Sequence, residues 1–347
     1  KDAIAQILTN SRMCAEGHRP ICQDTGIVNV FVKWGMDCRL DDTSRSLQDV
    51  VDEGVRRAYL HPENKLRASV LADPAFTRRN TKDNTPCVLH VEMVAGSKVS
   101  VDVAAKGGGS ENKSKFKMMN PSDNIADWVV EMLPQMGAGW CPPGMLGIGI
   151  GGTAEHCVLL AKQALMEPID MGPLKARGAQ NDIEALRIEI FDRVNALGIG
   201  AQGLGGLSTI LDVKIMDAPC HAAGKPVAMI PNCAATRHAH FTLDGSGPSY
   251  LAAPNLDEWP KVDWQPDAAA KRVNLDTLTP ADVQGWKQGD RLLLNGKMLT
   301  GRDAAHKRIF AGRGNFVSFA LKRHISTELA VCHFAGSKKC YFHRHAA

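Results

Sequence analysis

Residues 87–105, CVLHVEMVAGSKVSVDVAA, alternate apolar and polar side chains on both sides of a Gly-Ser-Lys turn. Successive side chains of a strand point to opposite faces, so this alternation demands a sheet with one face buried. It predicts a hairpin, and it runs straight into a loop that no ordinary hairpin needs, KGGGSENKSK. Helical spacing of apolar residues recurs over 1–16 and over 46–60, where Leu47, Val50, Val51, Val55 and Leu60 fall on one stripe. It recurs around 125–136 after Pro121-Ser122-Asp123, over 154–166, and over 182–197, DIEALRIEIFDRVNAL, which stops at Gly198 and Gly200. Between the first two helices, RPICQDTGIVNVFVKWG reads as a polar turn feeding a β-branched strand. Both strand and helix patterns are therefore present along the chain.

At 347 residues, 44% hydrophobic and 22% charged, the chain is long enough for two or three domains with a large core. Its net charge is only +4, and that excess gathers in residues 310–347, which hold Arg313, Lys322, Arg323, Lys338, Lys339 and Arg344 against Glu328. The bulk of the chain therefore offers no field to attract nucleic acid or an anionic membrane. The sequence contains neither an apolar run long enough to span a bilayer nor a secretory signal pattern, which makes the cytoplasm the default expectation. A start at Lys1 without Met is read as a processed or cut terminus. In a reducing setting the ten cysteines read as thiols, core residues or metal ligands, and none forms a CxxC pair. The Gly, Pro, Asp and Trp of 244–270 read as a linker after a first domain of residues 1–243, with short strands and turns over 271–300 beginning a second.

Six segments combine turn-formers with reactive side chains: Arg19–Gly26, Lys106–Lys113, Cys141–Gly144, His221, Cys233–His240 and Arg291–His306. Cysteines on rigid turns suit metal ligation, because thiolates must converge in a fixed geometry. Cys22, Cys141 and Cys233 meet that description, whereas Cys87 in the alternating run and Cys157 in an apolar stripe read as core thiols. Spacing alone does not select three ligands from ten cysteines. Taken alone, Arg67 is a solvated helix residue, Lys106–Gly109 a hairpin exit, Asp24 a turn-former and His221 a turn histidine. Gly147–Gly152 satisfies GxGxxG, but Cys141-Pro142-Pro143-Gly144 leaves room for only a very short strand before it, against a dinucleotide fold. His238 and His240 share a strand face and read as structural or exposed rather than chelating.

The motifs ICQDTG, KGGGSENKSK, GWCPPGMLGIGIGGTAE, the glycine-rich Gly198–Gly203, PNCAATRHAH and LLLNGKMLTGRDAAHKRI, in this order, resemble class I fumarate hydratase. That is the iron–sulfur hydro-lyase family that includes tartrate dehydratases. The resemblance covers roughly residues 1–309. It implies an α+β fold: a class I fumarase-type iron–sulfur domain followed by the beginning of a swivelling β/α domain. It implies a [4Fe–4S] cluster on Cys22, Cys141 and Cys233, whose iron without a thiolate acts as a Lewis acid on a substrate hydroxyl. It further implies that Gln23, Asp24, Arg67, Gly107, Gly108, Gly109 and Arg291 hold a small dicarboxylate, fumarate or malate. Asp24 would assist proton transfer, and His221 would be another catalytic residue. Asp24, Arg67 and the glycine loop thereby exchange their bland readings for site roles, and His221 stays open between the two. A dimer of identical chains and a place in the tricarboxylic acid cycle come with the family.

After Ile309 the sequence departs from the family pattern. No counterpart of its Thr-containing base segment or downstream Lys appears in 310–347, which read as an atypical basic tail from truncation or a changed reading frame. Cys332, His333, Cys340, His343 and His345 form a weak zinc pattern there. Three readings stay open: a fumarate hydratase whose chain is weakly active or inactive, an L-tartrate dehydratase, and a non-catalytic iron–sulfur protein.

Overall fold

The computed structural model describes residues 2–297, apart from Gln23, Trp264, Pro266, Gln288 and Gly289, together with 326–331 and 341–346. Cys332, His333 and Cys340 of the tail's zinc pattern lie outside the described residues, and His343 and His345 fall on the backbone of a strand over 341–346. Two units result, Lys1–Val262 and Asp263–Ala347.

The first unit runs α1 (Asp2–Glu16), β1 (Ile27–Gly35), α2 (Leu47–Leu60), β2 (Val88–Val94), β3 (Val99–Lys106), α3 (Gly108–Glu111), β4 (Lys115–Met119), α4 (Ile125–Met136), β5 (Gly144–Gly151), α5 (Ala154–Ala164), α6 (Met171–Arg177), α7 (Asp182–Ala196), β6 (Ile210–Ala218), β7 (Lys225–Cys233) and β8 (His238–Leu243). Its strands form two four-stranded sheets, β2-β1-β3-β8 and β4-β7-β5-β6. The class is α+β, as the family resemblance implies. Helix starts are set by side-chain caps: Ser46 and Asp49 form a reciprocal capping box on α2, and Asn124 and Asn181 accept from the backbone at α4 and α7.

Strand parity orders the layers. Val28, Val30 and Val32 of β1 join Val55 and Tyr59 of α2, while Phe31 between them joins Cys157, Ala161 and Leu165 around α5. In the second sheet, Met145, Ala228 and Ile230 face α5, and Leu146, Ile148, Val227 and Met229 face α4 and α7. The order is therefore α2, first sheet, α5, second sheet, then α4 with α7. Each fully buried Leu or Ile in these layers contributes about 1.5–3 kcal/mol.

The hairpin expected over 87–105 is corrected by the pairing. Its two strands do not pair with each other; β1 lies between them, parallel to β2 and antiparallel to β3. The alternation required a half-buried sheet, but β1 is buried on both faces and takes the central place. The connection over residues 95–98 closes over the end of β1, where Gly35 N donates to Lys98 O at 2.9 Å and a Cβ on Gly35 would stand 2.4 Å from Gly96 O. The GxGxxG run is likewise corrected: it does not follow a short strand but is strand β5 itself up to Gly151. A Cβ on Gly147 would meet Ala161 O at 2.2 Å and one on Gly149 would meet Cys157 O at 2.0 Å, so these glycines admit α5 against the sheet. Cys157, fully buried, donates its thiol to Gly149 O at 3.1 Å, and burial pushes it up to about 11.

The second unit holds β9 (Lys271–Asn274), α8 (Pro280–Gln284), β10 (Leu292–Asn295), and the antiparallel pair β11 (Ser326–Val331) and β12 (Tyr341–Ala346). The parallel pair β9 and β10 is linked through α8 and packs Val273, Leu275 and Leu278.

Gly149→Ala is expected to lower unfolding free energy by about 1–3 kcal/mol through forced separation of α5 from β5. Gly54→Ala, at an exposed α2 position with nothing within 4 Å of the added Cβ, is expected to raise it by up to about 1 kcal/mol. Denaturant titration of both variants checks the pair.

Candidate active site

The turn before β1 is closed by Asp24, whose Oδ1 accepts from Gly26 N at 3.1 Å and whose Oδ2 accepts from Gly109 N at 3.3 Å. Gly26 has φ +73°, and a Cβ there would lie 1.9 Å from Lys106 O, so only glycine lets this turn press against the exit of β3. Thr25, fully buried, donates its hydroxyl to Arg67 O at 2.6 Å and accepts from Arg67 N at 3.0 Å. The Arg67 backbone is thereby fixed beside the turn, and its side chain is exposed.

Lys106 ends β3 with its ammonium buried, donating to Ser110 Oγ at 2.7 Å and to Pro231 O at 2.8 Å. Glu111 stands 3.5 Å away and also pairs with Lys162 of α5. Burial pushes Lys106 down to about 8 against the pull of Glu111. Burial pushes the Glu111 carboxyl up, but Lys162 and Lys106 outweigh it and hold the group below its usual range. Pro231 is two residues before Cys233, so this ammonium ties the glycine loop to the third cysteine segment.

Cys233 ends β7. Burial pushes its thiol up, the Cys22 thiol acts in the same direction, and the Lys106 and Arg237 cations oppose both. Arg237 bridges the remaining gap: Nη2 donates to Asp24 O at 2.5 Å, and Arg237 O accepts from Ala105 N at 3.0 Å. Its Nε and Nη1 are buried with no hydrogen-bond partner among the described residues. Cys141 lies three residues before Gly144, which pairs with Cys233 across β5 and β7. Cys141 takes φ +59° and donates N–H to Ala138 O at 2.9 Å, while Gln202 N donates to Pro142 O at 2.7 Å and braces the turn from the glycine-rich loop.

One end of the first unit thus gathers Cys22, Asp24, the Arg67 backbone, Gly107–Gly109 and Cys233, with Cys141 entering the neighbouring strand. His221 is not gathered there. It sits in the exposed turn before β7, where its Nδ1 accepts from Ala223 N at 3.1 Å, and β7 carries the chain about 26 Å from that turn to Cys233 at ~3.3 Å per residue. Twelve residues of sequence separation are consumed by an extended strand. Arg291 belongs to the second unit, exposed, with its guanidinium on Asp267 at 2.7 Å. Gln23 lies outside the described residues. Gly109 N–H is committed to Asp24, and a Cβ on Gly107 or Gly108 would stand 3.6 or 3.7 Å from the same carboxylate. Sequence reasoning missed Thr25, Glu111, Lys162 and Arg237. Thr25, Glu111 and Arg237 lie inside ICQDTG, KGGGSENKSK and PNCAATRHAH, which offered a signal; Lys162 acts through a contact at long sequence separation.

A Fumarate hydratase (Fumerase) family model matches residues 1–242, and a Fumarase C-terminus model matches 245–318. The chain belongs to the fumarate hydratase family. Among its relatives, a Methanocaldococcus jannaschii protein named "Putative L(+)-tartrate dehydratase subunit alpha" is 37% identical over 247 residues, 69% of this chain and 83% of that protein. L(+)-tartrate dehydratase subunit alpha of Escherichia coli O157:H7 is 28% identical over 244 residues, 68% of this chain and 78% of that protein. Fumarate hydratase class I, anaerobic, of Escherichia coli K12 is 27% identical over 321 residues, 88% of this chain and 57% of that protein. The relatives of this fumarate hydratase family member are hydro-lyases. Among the described residues no helix is long and apolar enough to cross a membrane.

The family's iron–sulfur chemistry can be tested against the donors. Among the described residues no three His, Cys, Asp or Glu side chains are grouped to hold a single metal ion. A four-iron cluster sets each thiolate on a different iron, a wider spacing than ligands on one ion take. Three half-buried cysteines, the buried Lys106 ammonium and the half-buried Arg237 guanidinium beside Cys233, with its orphaned edge, form a donor set that fits an anionic, thiolate-bound group.

His238, on β8 beside this end, is pushed down to about 4 by burial, then by His240, Lys106 and Arg237, with Asp102 opposing. The unfolded chain takes up this proton near 6.5 and the folded chain only near 4, so the stability His238 contributes is present above 6.5 and is lost as pH falls to 4. The full loss is about 3 kcal/mol. Denaturant midpoints across that window should fall less steeply for His238→Gln than for the wild-type protein.

Proposed function

We propose that this chain is a class I fumarate hydratase that interconverts fumarate and malate on a [4Fe–4S] cluster held by Cys22, Cys141 and Cys233. The observation that carries the choice of fumarate is the extent of similarity: the class I fumarate hydratase match runs over 88% of this chain, whereas the tartrate dehydratase alpha matches stop at 68–69%. The second unit thus has a counterpart within the same polypeptide of the fumarate enzyme. L-tartrate dehydration is the second reading, favoured by the 37% identity to the Methanocaldococcus jannaschii protein.

When bound, the cluster supplies a Lewis-acidic iron without a thiolate, which makes a substrate hydroxyl a better leaving group. The chain's own residues supply the rest. Asp24, aimed by two backbone N–H groups, moves a proton at its carboxylate. Gly107 and Gly108 N–H groups and the Arg67 guanidinium hold the substrate carboxylates, where charge accumulates as the proton leaves. The resemblance assigns Arg291 as a further cation for the substrate, and Gln23 flanks the first cysteine. His221 serves the same reaction only if something other than its own strand brings it near.

The family resemblance supports three further parts of this reading: the reducing cytoplasm as setting, a dimer of identical chains as assembly, and the tricarboxylic acid cycle as context.

Anaerobic reconstitution of the full chain with iron and sulfide tests the proposal. Visible cluster absorbance is expected in the wild-type protein and its loss in Cys22→Ala, Cys141→Ala and Cys233→Ala. Asp24→Asn is expected to keep the cluster and lower kcat with fumarate by about 10²–10⁴. Turnover of L-tartrate in preference to malate and fumarate would transfer the assignment to the second reading.

A further inference from the structure

Arg237 lies at this end, and the proposed reaction does not use its chemistry. Its backbone is pinned by Ala105 N, and its Nη2 is spent on the Asp24 carbonyl. Those bonds fix the plane of the guanidinium and leave Nε and Nη1 buried, with no acceptor among the described residues. A buried guanidinium edge without an acceptor is costly, on the order of 1–3 kcal/mol or more for a charged donor, and such a group calls for a counterpart. Among the described residues the nearby carboxylates are engaged elsewhere: Asp24 Oδ1 and Oδ2 accept from Gly26 N and Gly109 N. Glu111 is engaged by Lys162 and Lys106, Asp102 by His240, and Tyr59, which feels the Arg237 charge, is a neutral phenol held beside Thr25. The sulfur of Cys233 lies within electrostatic reach of the same guanidinium, with Cys22 behind it.

We propose that Arg237 is a positioning residue for the anionic sulfur group of this site, donating Nε–H and Nη1–H to the sulfur of the cluster that Cys22, Cys141 and Cys233 would hold. The inference rests on the cluster reading of the proposed function. Its physical content is that two charge-assisted donors and a buried positive charge stabilise the more negative, reduced state of a sulfur-bound iron group, as outer-shell hydrogen bonds do in general. Lys106 is saturated by Ser110, Pro231 and Glu111 and cannot take over this task.

The test compares wild-type, Arg237→Lys and Arg237→Gln full-length protein after anaerobic reconstitution with iron and sulfide. Circular dichroism and thermal melts of the apo forms establish that each variant folds. Iron and sulfide content, the cluster midpoint potential and the equilibrium binding of malate are then measured. The expected result is a cluster affinity lower by about 10- to 100-fold in Arg237→Gln, a midpoint potential shifted to more negative values, and an intermediate position for Arg237→Lys, which keeps the charge but not the fork. Cluster content and potential equal to wild type in a folded Arg237→Gln overturn the proposal while leaving the proposed function standing. Unchanged content and potential with weakened malate binding overturn it in favour of a substrate carboxylate as the anion. A folded wild-type chain that takes up no cluster overturns both readings.

Discussion

The ammonium of Lys106 is the interaction on which the rest of this site depends. It is buried to 1% exposure at the last residue of β3, where an unpaired charge would cost several kcal/mol. Ser110 and Glu111 of α3 and Pro231 at the end of β7 surround it, and Glu111 also engages α5. Because the desolvated charge is tolerable only with all of these in place, the glycine loop and the cysteine-bearing strand end are held in one relative position. The cation also lies close enough to Cys233 to favour its thiolate against the effect of burial.

Around that clamp the two sheets act as a scaffold whose strand ends, rather than faces, carry chemistry. The β1 entry turn is pressed on the β3 exit at Gly26, the β5 entry stands across from the β7 exit at Gly144 and Cys233, and α5 fills the layer between the sheets. Two short peptide segments, over Cys22–Gly26 and over Cys233–Arg237, are joined by one guanidinium on a carbonyl. The consequence is that fixed N–H groups, the Lys106 ammonium, the Arg237 guanidinium and half-buried thiols are held in place by the fold itself.

Local structure was legible wherever it depended on neighbours in sequence. The stripe over 46–60 and its Ser46 cap, the stop of 182–197 at Gly198, and the core character of Cys87 and Cys157 all follow from side-chain periodicity, capping and size. The strand partners of 87–105 were not legible, because alternation reports which face is buried and not which strand lies alongside. The same limit hid the role of the glycines of β5: their Cβ-free surface is explained only by a helix that reaches them from the other side.

The sequence by itself determined the class of the fold, the family motifs and the residue types available for chemistry, because turn-formers, cysteines and amphipathic stripes act over a few residues. Only the tertiary structure decided which of those residues share an end of the molecule. His221 and Cys233, twelve apart, are separated by an extended strand, whereas Asp24 and Arg237 are joined by a hydrogen bond across 213 positions. The physical reason is that strand rise and sheet pairing set distance in space, and neither is a function of sequence separation.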